Sequence, residues 1–167
     1  AMALGSPGAL RAQQPLRHAD MHSHLGRKLG HAMREAMAAN GMLIVAEKVI
    51  PDLPLIRFSQ ERRTITAHRD AAPGELRRSF DLQFSRTLEQ MSAQKLLPVE
   101  SVEVLDRVLR ERVPGIVLAS EGADFLEGDI GYLEKVRGRG LAHLQLVHYR
   151  ISDVGDISTE EPKNGGL

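Results

Sequence analysis

The chain has 167 residues, of which 42% are apolar and 26% are charged, so it can form one globular domain with its own core. Lysine and arginine number 22 together, as do aspartate and glutamate, and this balance excludes the strong basic field that is typical of nucleic-acid-binding proteins. Cysteine is absent, which excludes disulfides, thiolate nucleophiles and cysteine-ligated zinc, so histidine and carboxylate side chains must hold any metal.

The amino terminus is interpreted as an extension of the folded domain. Residues 1–15 place Ala1 ahead of Met2 and continue with glycine, serine and proline, which is typical of a leader remnant or a cloning scar. We therefore expect the domain to occupy residues 16–167. No segment reaches the roughly 18 consecutive apolar residues that a membrane span requires.

A first strand is predicted from Leu16 to His24, and it ends with the histidine pair His22 and His24. Side chains at positions i and i+2 of an extended strand point to the same face, so both imidazoles can approach one cation to within about 2.1 Å. The pair is interpreted as half of a metal site. It does not make a site alone, because seven histidines are scattered through the chain.

The next elements alternate between helix and strand. Residues 31–39 predict a helix that closes on Asn40 and Gly41, and the apolar run 42–46 predicts a strand buried on both faces. Residues 51–73 are interpreted mainly as an insertion or a long loop. From Leu76 to Met91, apolar residues recur at helical spacing, which predicts an amphipathic helix that packs on the core.

The same alternation continues to the end of the chain. Residues 99–112 predict a helix, residues 115–120 a strand, and Asp124 is expected to cap a helix that extends toward Arg139. A last strand is predicted over residues 141–148. Strands that alternate with helices in this way indicate a parallel α/β architecture.

Polar side chains fall at the carboxyl ends of these predicted strands. His22, His24, Glu121 and His148 all occupy such positions. In a (β/α)₈ barrel the carboxyl ends of the strands carry the active site. One shared pocket explains the four placements better than four independent coincidences do.

Distinctive motifs lie at residues 119–129, 144–150 and 162–167, together with Gly155 and Asp156. In these motifs the chain resembles the membrane (renal) dipeptidases, which are zinc peptidases of the amidohydrolase superfamily. The resemblance extends over about residues 20–167. It implies that the domain is the N-terminal half of a (β/α)₈ TIM-type barrel, with about four parallel strands and their helices.

The resemblance also implies roles for the four strand-end residues. His22 corresponds to the first zinc ligand, Glu121 to a glutamate that bridges two zinc ions, and His148 to the histidine that contacts the substrate. His24 stands where the family usually has aspartate. This departure produces the His-x-His pair of the wider superfamily, and we expect His24 to be a metal ligand as well.

The expected function is a zinc-dependent dipeptidase that uses two zinc ions. Two cations about 3.5–4 Å apart turn a shared water into hydroxide near neutral pH, and this hydroxide attacks the peptide carbonyl. His148 would donate a hydrogen bond to the carbonyl oxygen as its negative charge develops. The alternatives are a non-catalytic or incomplete fragment that keeps the fold, and another hydrolase of the superfamily, namely an amidase or a lactonase.

We expect residues 16–167 to be an incomplete barrel. The family's barrel has eight strands, and two further zinc-binding histidines, a basic residue for the substrate carboxylate and an acidic residue belong to its second half. The expected partner is therefore a C-terminal half in a longer protein, with a homodimer of this chain as the alternative, and this chain alone is expected to be inactive. The resemblance favours a periplasmic, secreted or membrane-associated location.

Overall fold

The structure is a computed structural model that describes residues 17–25, 30–61 and 63–166. Its strands are β1 (His18–Ser23), β2 (Met42–Val49), β3 (Ile56–Ser59), β4 (Thr64–Ala67), β5 (Leu97–Pro98), β6 (Gly115–Glu121) and β7 (His143–Gln145). Its helices are α1 (His31–Ala39), α2 (Glu75–Ala93), α3 (Val102–Glu111) and α4 (Tyr132–Gly138). The interpretation of residues 1–15 as a leader or cloning remnant lies outside the described residues.

The main sheet is parallel and curls into half of a barrel. β1 pairs with β2, and β2 pairs with β6. β6 then pairs with the two-residue β5 at its amino end and with β7 at its carboxyl end. The four main strands β1, β2, β6 and β7 are joined by helices, which confirms the predicted half of a TIM-type barrel. Their carboxyl ends lie along one edge, where such barrels carry their sites.

The larger core lies between this sheet and the helices. The apolar face of α2 is buried as predicted, and its Phe80 stacks on Phe125 with ring centroids 4.0 Å apart and on Phe84 with centroids 5.1 Å apart. These rings belong to one cluster with buried residues of β2 and β6, such as Val45 and Ile116. The aromatic stack therefore attaches α2 and the segment after β6 to the sheet.

A smaller core attaches α3. Val108 packs with Leu43 and Val99, and a Cβ at Gly115 would lie 2.5 Å from Val99 Cγ2, so only glycine fits where β6 begins. The helix predicted from Val99 begins only at Val102, because the Ser101 side chain accepts a hydrogen bond from the Val104 amide and caps it there.

Residues 51–73 contain more structure than the predicted loop. β3 and β4 pair as an antiparallel hairpin in which Ile56 faces Ala67 and Ser59 faces Thr64. The β-branched side chains of β4 favour a strand. The prediction missed the hairpin because the prolines and charges around these short strands are typical of a loop.

The helix predicted from Asp124 toward Arg139 is divided into two pieces. A short 3₁₀ turn covers Asp124–Leu126, and α4 begins only at Tyr132, because Glu127 and Gly128 adopt left-handed backbone angles between them. Asp124 does not cap a helix. The Asp124 side chain is fully buried and pairs instead with Arg150 at 2.9 Å.

The first and last strands are shorter than predicted. β1 ends at Ser23 rather than His24, and Leu16 lies outside the described residues. β7 covers only His143–Gln145, because its neighbour β6 ends at Glu121. The next residue, Gly122, has a φ of 104° and turns the backbone away from the sheet. None of the helices in the described part of the chain is long and apolar enough to cross a membrane.

The start of α2 allows a prediction about pH. Glu75 accepts two hydrogen bonds from Arg69, at 2.8 and 2.6 Å, and one from the Ala72 amide, and these contacts lower the pKa of Glu75 from its ordinary 4.5 to about 2. A carboxylate whose pKa is lowered by folding stabilises the fold above its unfolded pKa. This contribution is then lost as the pH falls from about 4.5 to about 2.

We expect Arg69→Gln to raise the pKa of Glu75 toward 4.5, as measured by a ¹³C NMR titration of the Glu75 carboxyl group. Arg78→Gln is the matched control, since the charge of Arg78 has the smallest effect on this pKa. An unchanged Glu75 pKa in Arg69→Gln would contradict the assignment of the shift to Arg69.

Candidate metal centre

Three of the four predicted site residues converge at the carboxyl edge of the sheet. His22 Nε2 lies 3.1 Å from Glu121 Oε1, and His24 Nε2 lies 3.1 Å from Glu121 Oε2. The two Nε2 atoms are 3.2 Å apart. Among the residues that the structure describes, these three form the one group of histidine and carboxylate ligands close enough to share a metal ion.

The local backbone explains how the two histidines reach Glu121. β1 and β6 are separated by β2, so the imidazoles must extend across the end of β2. The pairing of β1 with β2 becomes irregular between Asp20 and Ser23, and the His22 amide donates to Asp20 Oδ1 at 2.9 Å. His24 Nδ1 lies 3.4 Å from the Lys48 carbonyl oxygen. These contacts hold the end of β1 in a bend over the sheet.

The electrostatics of the group favour a cation. The Glu121 side chain is only 9% exposed, whereas those of His22 and His24 are 51% and 43% exposed. Glu121 Oε2 is buried and lies 3.1 Å from His24 Nε2, but it accepts no hydrogen bond among the described residues. A buried carboxylate oxygen without a partner is unfavourable. A cation between the carboxylate and the imidazoles removes that penalty.

The spacing of the ligand atoms fits one tetrahedral metal. Ligands about 2.1 Å from a tetrahedral zinc lie about 3.4 Å from one another. The two Nε2 atoms lie 3.2 Å apart, and each lies 3.1 Å from a different oxygen of Glu121. Two histidines and one carboxylate, with a fourth position left open, are a ligand set that catalytic zinc sites use. The residues present therefore fit a divalent metal.

His148 faces the same carboxylate but is not part of the three-residue group. His148 Nε2 lies 3.5 Å from Glu121 Oε1, and the side chain is only 7% exposed. On the other side of the ring, Nδ1 lies 2.8 Å from Oδ1 of the fully buried Asp52. The structure thus places the predicted substrate histidine beside the candidate ligands.

Lys48 and His143 also approach this site, and the sequence analysis did not single out Lys48. The Lys48 side chain is buried near the end of β2, with Nζ 3.2 Å from His143 Nδ1. Burial lowers the pKa of Lys48, and the nearby charge of Glu121 opposes this decrease. Burial likewise lowers the pKa of His143, and Lys48 and His22 lower it further. A lysine at the end of an apolar strand is the feature of the sequence that could have pointed to Lys48 as a site residue.

Asp52 and Asp124 are two more buried acids that sequence reasoning did not place at the site. Asp52 lies in the region interpreted as an insertion, and Asp124 was expected to be a helix cap. Burial raises the pKa of Asp124, the charge of Asp52 raises it further, and Arg150 opposes the increase. The segment after β7 therefore binds both acids, Asp52 through His148 and Asp124 through Arg150.

Comparisons with known proteins add nothing to this description. No family model, no curated protein and no solved structure matches the chain. The resemblance to the membrane dipeptidases therefore stays a prediction.

Proposed function

We propose that His22, His24 and Glu121 bind a zinc ion, and that this centre serves a metal-dependent hydrolase that acts on dipeptides. One observation carries the proposal: the buried Glu121 turns its two carboxylate oxygens toward two imidazoles, and each contact measures 3.1 Å, close to the spacing of tetrahedral zinc ligands. The dipeptide class is supported by the resemblance of residues 119–129 and 144–150 to the dipeptidases, and the metal site is supported by the geometry.

Each residue has a distinct part in the proposed reaction. A bound divalent cation supplies a Lewis acid and water activated near neutral pH. His22 and His24, which are partly exposed, and the buried Glu121 would hold such a cation. His148 lies on the β7 side of Glu121, where its Nε2 is available to the carbonyl oxygen of the substrate. A donor at that position stabilises the charge that develops on the oxygen.

The surroundings of Glu121 bear on the number of metal ions. The Lys48 side chain is buried near the end of β2, and the nearby charge of Glu121 opposes the lowering of its pKa by burial. The three-residue group accounts for one ion among the described residues. The proposal therefore commits to one zinc ion in this chain, and two zinc ions per complete site remain the expectation from the resemblance.

The test is zinc-dependent hydrolysis of dipeptides by the longest stable form of the protein. We expect chelation to abolish the release of free amino acids and His148→Gln to reduce it by about 10²–10³-fold, the effect of losing one such donor. His31→Gln is the control, because His31 is exposed and contacts Glu35 away from the site.

Other outcomes would identify the alternatives. Hydrolysis of simple amides or lactones without dipeptide hydrolysis would replace the dipeptidase with an amidase or a lactonase. A protein that binds zinc and hydrolyses none of these substrates would be the non-catalytic relative. A protein that binds no zinc would overturn the proposal at its first step.

A further inference from the structure

The side chain of Asp52 is fully buried, and the residues that satisfy its carboxylate lie far away in the sequence. Asp52 lies three residues after the end of β2, and Leu55 donates its amide to the Asp52 carbonyl oxygen. Its carboxylate has two described partners, His148 Nδ1 at 2.8 Å and the Tyr149 amide at 3.4 Å. Both partners belong to the segment after β7. A buried carboxylate is unfavourable unless it is hydrogen-bonded, and here most of that bonding goes to one histidine.

The contact joins two strand ends that are not neighbours. β2 and β7 are separated by β6, so the bond from Asp52 to His148 passes over the end of the strand that carries Glu121. The opposite nitrogen of the same ring, Nε2, then lies 3.5 Å from Glu121 Oε1. Asp52 thus fixes which edge of the imidazole faces the candidate metal centre.

We propose that Asp52 is a positioning residue that orients His148 toward the substrate side of the metal centre. A carboxylate accepts hydrogen bonds, so Nδ1 carries the proton of this contact, and the ring cannot rotate without losing it. Donation from Nε2 to the substrate then requires the imidazolium form, which carries a proton on both nitrogens. With the ring held in this way, Nε2 is the ring nitrogen that faces Glu121 and the candidate metal centre. The role of His148 toward the substrate rests on the proposed function, whereas the orientation of its ring does not.

The two buried acids of this region have separate tasks. The charge of Asp124 is met by Arg150 at 2.9 Å, so Arg150 does not compete for Asp52 in the described contacts. Among the described side chains, His148 is therefore the one that donates a hydrogen bond to the Asp52 carboxylate. Because His148 is only 7% exposed, water does not easily replace the carboxylate as the partner of Nδ1. A single carboxylate therefore determines the orientation of the ring.

The first test is an NMR measurement that does not depend on activity. We expect the wild-type chain to show one slowly exchanging imidazole N–H proton shifted downfield by its bond to a carboxylate, and we expect His148→Gln to remove it. Asp52→Asn should remove this signal or shift it upfield, while Asp70→Asn, which alters an exposed carboxylate, should leave it unchanged. Absence of the signal in the wild-type chain, or its persistence in Asp52→Asn, would overturn the proposal.

The second test separates positioning from metal binding. In hydrolases in which a buried aspartate orients the catalytic histidine, substitution by asparagine leaves the geometry intact and lowers kcat by up to about 10⁴-fold. We expect Asp52→Asn to lower kcat for dipeptides by at least about 100-fold, with KM changed less, and to leave the zinc affinity within about twofold of the wild type.

The zinc affinity distinguishes a positioning role of Asp52 from the alternative in which His148 is itself a metal ligand. If His148 were a metal ligand, loss of the carboxylate that supports it would weaken zinc binding by about 10–100-fold. Such a loss in Asp52→Asn would overturn the positioning role. If the wild-type protein binds no zinc, the proposed function fails, and the NMR measurement still decides the orientation of His148.

Discussion

Glu121→Gln is expected to abolish zinc binding by this chain. Glutamine keeps the size of the side chain but removes the charge that faces His22 and His24 at 3.1 Å. Loss of a group that merely supports a zinc ligand weakens binding by about 10–100-fold. Loss of a ligand itself should therefore exceed about 100-fold, and isothermal titration calorimetry with zinc measures the difference.

Two comparisons make this result specific. His22→Gln should weaken zinc binding in the same way, because it removes another ligand of the same group. His31→Gln should not, because His31 lies on α1 and contacts only Glu35 among its described charged neighbours. Equal zinc affinities for the wild type and Glu121→Gln would show that the metal binds elsewhere or not at all.

The second large effect is expected in the core. Phe80 is fully buried and stacks on Phe125 at 4.0 Å, so Phe80→Ala removes contacts between α2 and the segment after β6. Truncation of a buried phenylalanine destabilises a fold by about 3–5 kcal/mol. Domains are stable by only about 5–15 kcal/mol, so a large part of the free energy of unfolding would be lost. Urea denaturation measures this change.

Leu82→Ala is the matched control for the core. Leu82 lies on the same helix two residues away, and about half of it is exposed. Substitutions at such surface positions usually change the free energy of unfolding by no more than about 0.5 kcal/mol. If both variants lost the same small amount of stability, the aromatic stack would not be the main attachment of α2.

The strand-end argument predicted most of the candidate site. His22 and His24 lie at the carboxyl end of the first strand, and Glu121 ends the third main strand. The carboxyl ends of parallel strands meet at one edge, so these residues lie close together in the structure. Asp52 could not be found this way. It follows its strand by three residues, inside a region whose prolines and charges are typical of a loop, and its partner His148 is 96 positions away.

The helix boundaries show a different limit of sequence reasoning. Periodicity predicted the buried face of α2 because the apolar residues repeat with the turn of the helix. The same reasoning extended one helix from Asp124 to Arg139, where the structure has a 3₁₀ turn and a separate α4. The Asp124 side chain is buried and pairs with Arg150. These residues lie 26 positions apart in the sequence, so the local pattern around Asp124 does not predict their contact.

The sequence by itself determined the parallel α/β architecture and the types of side chain that could hold a metal, because hydrophobic periodicity and the absence of cysteine are properties of the chain alone. Only the tertiary structure decided that Glu121 is buried with an unpartnered oxygen and that His148 is bonded to Asp52. Burial and pairing depend on which strand ends meet when the sheet curls. The contacts that bring these charges and hydrogen-bonding groups together therefore exist only in the folded chain.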